Sequence, residues 1–166
     1  MQIQKNSETL TQIEKIGYGL GDTASNLYFQ FFNIFLFYYY TDVFGLSAGA
    51  VGTMYLLANF WDAVNDPMMG AIADRVETKK GKYRPFLLWF AIPYGAFGYA
   101  IFANPDLAEL GKLIYAYLTF IGFKMIYTAI NVPYSALMGV ITPNAVERMA
   151  LSTDRFVGAF SGGFVV

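Results

Sequence analysis

Long apolar blocks alternate with short polar breaks along this chain. The blocks cover about 16–41, 48–73, 85–103, 112–140 and 155–166. The first four reach the roughly 20 mostly apolar residues that a membrane-spanning helix needs. The fifth is cut off at Val166 after about three turns and carries no polar flank, which suggests the amino-terminal piece of a larger protein. The breaks read as a turn at 42–47, a charged loop at 74–84, a turn at 104–111 and a polar loop at 142–154. Residues 1–15 are polar and read as a short cytoplasmic tail, with residues 16–166 forming one transmembrane bundle. The run Phe35-Leu36-Phe37-Tyr38-Tyr39-Tyr40 reads as an aromatic belt at a membrane interface.

Polar residues interrupt three of the blocks at helical spacing. The second block holds Asn59-Phe60-Trp61-Asp62-Ala63-Val64-Asn65-Asp66-Pro67. Asp62 and Asp66 share a helix face, Asn59 lies one turn earlier and Asn65 lies beside the pair. Ionisable groups in a membrane helix are expensive and rarely face lipid. The stripe offers hard oxygen atoms of the kind sodium or a proton would take, so Asp62 and Asp66 are candidate cation ligands. The first block carries Asp22, Asn26, Gln30 and Asn33 within about 80° of one another. The fourth carries Lys124, Thr128, Asn131 and Ser135 on a narrow face. Three polar faces that lipid cannot satisfy predict helices packed around a polar cavity. Isolated interhelical hydrogen bonds would need single Ser, Thr or Asn residues rather than stripes over three turns. Pro67 and Pro133 stand beside these stripes, where a proline can expose carbonyls to a site. Asp22 and Lys124 join the candidates for substrate contact. Lys124 lies at mid-span and needs a partner, for which a carboxylate of the second span, Asp62 or Asp66, is expected and Asp22 is a further candidate.

Composition narrows the class. The 166 residues are 56% hydrophobic and only 14% charged, as in a polytopic membrane protein. A net charge of −1 gives no nucleic-acid signature. Without cysteine, disulfide and thiol chemistry are excluded, and without histidine any proton relay uses carboxylates or lysine. No cleavable signal pattern opens the chain. Lys5, Lys15, the cluster Arg75, Lys79, Lys80, Lys82 and Arg84, and Arg148 fall on the tail and on the breaks after the second and fourth spans. The other breaks hold only Lys112, so the amino terminus is expected in the cytoplasm of a multi-pass cell-membrane protein. Asp74, with Arg75 beside it, could latch the charged loop during a conformational change.

Several segments together resemble the glycoside–pentoside–hexuronide:cation symporter family of the major facilitator superfamily, of which melibiose permease is the type. They are Tyr18-Gly19-Leu20-Gly21, Tyr38-Tyr39-Tyr40-Thr41-Asp42, Gly45-Leu46-Ser47, Trp61 through Gly70, Gly81-Lys82-Tyr83-Arg84-Pro85, Tyr127-Thr128, Val132-Pro133-Tyr134 and Asp154-Arg155-Phe156. The resemblance implies an all-α membrane protein of two six-helix bundles, of which this chain holds the first five helices. The carboxy-terminal bundle, the lipid bilayer and a small sugar are then its partners. It implies a coupling cation, proton or sodium, at Asp62, Asp66, Asn65 and Thr128, and sugar contacts at Asn26, Asn131 and Arg155. Melibiose permease has aspartates at the positions of Asn26 and Asn131 and a tryptophan at Ser135, so another glycoside, a pentoside or a hexuronide is the expected cargo.

The function expected is secondary active sugar:cation symport by alternating access. The alternative is a sugar sensor with the same fold and no transport. An enzyme is not supported, because no nucleophile–base constellation and no His or Cys metal set is present.

Overall fold

The computed structural model describes residues 10–78, 81–142 and 144–165. The expected charges at Lys5, Lys79 and Lys80 lie outside the described residues. Five helices follow one another: α1 (Gln12–Tyr38), α2 (Ala48–Arg75), α3 (Arg84–Phe102), α4 (Glu109–Ile141) and α5 (Ala145–Val165). Among the described residues there is no strand. Pro67, Pro93 and Pro133 all sit inside helices. Among the described residues, α3 and α4 are both long and apolar enough to cross a bilayer by composition alone. Helices α1, α2 and α5 have 27, 28 and 21 residues, lengths that also reach across, but polar stripes dilute them.

Local chemistry sets the helix ends. Thr11 and Glu14 form a capping box: Glu14 N–H donates to Thr11 Oγ1 (3.3 Å) and Thr11 N–H donates to Glu14 Oε2 (2.9 Å). Helix α1 therefore starts at Gln12, inside the stretch read as tail. It closes in a π-helical turn, Tyr39–Val43, followed by Gly45 at φ 84°. The aromatic run is only partly a belt. Phe35, Phe37 and Tyr38 are exposed, whereas Leu36 and Tyr40 are fully buried. Ser47 caps α2 by accepting from Ala50 N–H.

The polar loop expected over 142–154 is a correction. Helix α4 ends at Ile141, and α5 already runs from Ala145. Asn144 Oδ1 accepts from Val146 N–H (3.0 Å), and Glu147 lies in the first turn, where an acid complements the helix dipole. Polar residues here belong to an amphipathic helix start. Arg155 consequently sits midway along α5 and not at its beginning.

The chain divides into two compact units, the described residues of Met1–Leu36 with Met138–Val166, and Phe37–Leu137. In the first, α1 and α5 approach through glycine. A Cβ on Gly158 would fall 2.6 Å from the Gly19 carbonyl oxygen, and one on Gly162 would fall 2.6 Å from that of Thr23. Small residues four apart allow such backbone approach between membrane helices. Lys15 and Glu147 close the near ends with an ion pair of 2.7 Å.

In the second unit α4 packs on both α2 and α3. Tyr94 of α3 stacks on Phe123 of α4, centroids 5.1 Å apart. Ala73, Tyr83 and Phe86 form a buried cluster with Met69, Phe90 and Leu137 packed against it. Tyrosine hydroxyls tie the opposite end: Tyr117 donates to Ala50 O (2.9 Å), Tyr115 to Ala100 O (2.7 Å) and Tyr39 to Phe102 O (2.8 Å).

The loop between α2 and α3 is drawn tight by Asp74. Tyr83 Oη donates to Asp74 Oδ1 at 2.6 Å, and Lys82 Nζ stands 3.6 Å from the same oxygen. Thr78 and Gly81 exchange backbone hydrogen bonds, with Gly81 at φ 102°. Arg75 makes no ion pair among the described residues. The Tyr83 hydroxyl bond, and secondarily Lys82, hold the Asp74 carboxyl below its ordinary value, while donating that bond and burial push the Tyr83 phenol up.

Two predictions follow from this packing. Gly162→Ala should destabilise the protein by about 1–3 kcal/mol, because the new methyl meets backbone that cannot yield. Gly17→Ala, where nothing lies within 4 Å of the added atom, should be neutral. Thermal unfolding in detergent checks both, and equal melting curves for the two variants would refute the packing argument. For Asp74, a depressed folded-state pKa means that its stabilisation is present above the ordinary carboxylate value and is lost as pH falls through the folded value. Tyr83→Phe should move the Asp74 titration, followed by carboxyl-carbon NMR, up towards the ordinary value; an unmoved titration would assign the shift to another group.

Candidate functional site

The second unit brings together most of the polar positions expected on the second and fourth spans. Lys124 Nζ of α4 lies 2.6 Å from Asp62 Oδ2 of α2 and 3.4 Å from Asn59 Oδ1. One turn further along both helices, Thr128 Oγ1 donates to Asp66 Oδ1 at 2.9 Å. A turn beyond that, Gly70 faces Val132. The pairs 62/124, 66/128 and 70/132 keep one register, so α2 and α4 run parallel and their i, i+4 stripes form a ladder. Of the carboxylates expected to partner Lys124, the structure selects Asp62.

The ladder is partly buried. The Lys124 and Asp62 side chains are 14% and 22% exposed. Asn65 is buried, and its Nδ2 has no hydrogen-bond partner among the described residues; the same holds for Asp62 Oδ1. Asp66 is exposed. Two carboxylates share one ammonium and one hydroxyl, leaving a single net negative charge when both acids are ionised. Among the described residues no three His, Cys, Asp or Glu side chains converge as a metal set. Oxygen ligands for a cation would come from Asp62, Asp66, Thr128 and Asn65 together. Asn131, one turn past Thr128, donates from Nδ2 to Tyr127 Oη at 3.3 Å.

In the first unit the polar stripe of α1 meets α5. Asp22, only 4% exposed, accepts from Arg155 through both oxygens: Nε donates to Oδ2, and Nη2 donates to Oδ1 at 3.3 Å. The Tyr18 ring centroid lies 5.8 Å from Arg155 Cζ, a cation–π contact. Asn26 donates from Nδ2 to the Asp22 carbonyl at 3.0 Å, and Asn33 to that of Phe29 at 2.9 Å. Asp22 is thus engaged by Arg155 within its own unit, and Lys124 by Asp62 within the other. Sequence reasoning did not pair Asp22 with Arg155, because the helical start of α5 was hidden in a polar stretch. Tyr18 and Tyr127 were overlooked as site neighbours, although each stands within one turn of a stripe residue.

Residues 17–166 match the sequence profile of the family described as MFS/sugar transport protein. A protein of Escherichia coli (strain K12) provisionally named glycoside/cation symporter YagG is 50% identical over 157 residues, which are 95% of this chain and 34% of that one. The inner membrane symporter YicJ of the same organism is 45% identical over 159 residues, 96% of this chain and 35% of its own. An isoprimeverose transporter of Lactiplantibacillus pentosus is 40% identical over 153 residues, 92% of this chain and 32% of its own. The chain spans about a third of the length of the curated relatives it matches. With a profile match over nearly all its length, this all-α chain belongs to the MFS/sugar transport protein family.

Proposed function

We propose that the protein is a multi-pass membrane symporter that couples sugar uptake to a cation by alternating access, its amino terminus in the cytoplasm. The observation that carries the reading is the α2–α4 ladder, in which two intramembrane carboxylates meet one ammonium and one hydroxyl. An acid held in this way has no structural need to be there, since an apolar pair of similar size packs as well. Its value lies in changing charge. Binding a cation at Asp62 and Asp66 removes the remaining negative charge and favours the state in which sugar is bound, so the two affinities are linked reciprocally. Relatives whose names mention a glycoside and a cation, isoprimeverose, or a glucuronide support a sugar as cargo. Asn26, Asn131 and Arg155 are assigned to sugar hydroxyls, since amides donate and accept and the guanidinium offers a fork of donors.

The proton is the coupling ion this ladder suits. Lys124 already fills the charge space on Asp62 Oδ2 that sodium would need. Protonation of Asp62 would release the ammonium without introducing a second cation. Sodium at Asp62 and Asp66, with Asn65 and Thr128, is the competing outcome.

Transport assays test both levels. Asp66→Asn should abolish uphill accumulation while leaving sugar counterflow, and full accumulation by that variant would refute the cation assignment. A wild type that binds sugar but never exchanges it would be a sensor. Uptake into vesicles should respond to an imposed proton gradient and hardly to a sodium gradient. Lys124→Ala should weaken the proton response. Strong sodium stimulation unaltered by that substitution would overturn proton coupling.

A further inference from the structure

We infer that Asp22 is a positioning residue for sugar specificity, acting through Arg155 and not by touching the substrate. The inference rests on the transport reading for Arg155 but has its own geometric basis. Asp22 is 4% exposed, and both of its carboxylate oxygens are engaged by one guanidinium. Those contacts take the Nε–Nη2 edge of Arg155. A guanidinium is planar and rigid, so fixing one edge also fixes the direction of the other. The Tyr18 ring lies against the same group and limits rotation of the plane.

The backbone supports this role. Gly19 lies one turn before Thr23, and Gly158 one turn after Asp154, where the backbones of α1 and α5 come close together. A Cβ on Gly19 would fall 3.1 Å from the Asp154 carbonyl oxygen. The glycine contact thus sets the distance across which Asp22 can reach Arg155. Asp22 also anchors Asn26, through its backbone carbonyl. A side-chain substitution at Asp22 removes the hold on Arg155 while leaving that carbonyl in place, so the arginine arm can be examined separately.

The test uses the purified full-length transporter in proteoliposomes, with isoprimeverose and phenyl glucuronide as counterflow probes. Asp22→Asn should raise the half-saturating concentration of the transported probe about tenfold, the order expected when a binding group loses its orientation. The maximal rate per inserted molecule should change by less than about twofold, which separates lost affinity from lost protein. Arg155→Lys should do the same, and the double variant should be little worse than Arg155→Lys alone, because contacts that act as one unit are not additive. Multiplying effects would mean that Asp22 contacts the sugar itself, and an unchanged half-saturating concentration in Asp22→Asn would mean that it does not position Arg155; either overturns the inference. Should Asp22→Asn fail to fold, Asp22→Glu keeps the charge but displaces the guanidinium by one methylene, and wild-type affinity in that variant would equally overturn it. A readout independent of transport is phenylglyoxal modification of Arg155, followed by mass spectrometry. It should be several-fold faster in Asp22→Asn, or in Asp22→Glu if only that variant folds, and equal rates refute the pairing. Wild-type protein that exchanges neither probe would rule out these two sugars as cargo, while the modification rates would still decide this inference.

Discussion

A charge on a membrane helix must find its opposite or be removed, and that constraint organises both units of this chain. Leaving one member of a buried ion pair without its partner costs about 3–5 kcal/mol. Asp62 with Lys124, and Asp22 with Arg155, therefore do more than neutralise each other. Each pair selects one rotational setting and one axial register of its two helices. In the α2–α4 ladder the second rung, Asp66 with Thr128, repeats the setting one turn on. Slippage by a single residue would break both rungs together.

The two units solve helix packing by different means. Helices α1 and α5 come together on glycines, with backbone against backbone, so their separation is fixed by the absence of side chains. Helix α4 meets α2 and α3 through rings and hydroxyls, among them Tyr94 on Phe123 and Tyr117 on Ala50. The first kind of contact tolerates no added atom. The second is directional but offers more than one rotamer, as hydrogen-bonded and aromatic contacts do.

The polar stripes were legible because helical periodicity is a local property. Asp62 and Asp66 at i, i+4, and Lys124 and Thr128 likewise, announce their faces from sequence alone. The need of Lys124 for an acid followed from the cost of an intramembrane charge, and the choice of Asp62 awaited the register of α2 against α4. Asp22 with Arg155 was out of reach for a different reason. The stretch after Thr142 looks polar enough to be a loop, and only the Asn144 cap shows that the helix begins there. The Thr11–Glu14 capping box, by contrast, stood in the sequence at its diagnostic spacing and could have placed the start of α1. The aromatic run misled because an interfacial belt and a buried cluster have the same composition.

The tyrosine bonds at the far end of α3 bear on how thick a membrane the protein can inhabit. With 19 residues, α3 extends about 28 Å, slightly short of the hydrocarbon layer of a typical bilayer. The last carbonyls of a helix lack partners within it, and in lipid each would ask for water. Here Tyr39 supplies a hydroxyl to Phe102 O, and Tyr115 supplies one to Ala100 O. Protein takes the place of solvent at Phe102 O, and at Ala100 O the tyrosine joins the Ala103 N–H, so this terminus asks for less water than a bare helix end. In a bilayer, two side chains would then take up part of the mismatch that a short helix ordinarily imposes on the surrounding lipid.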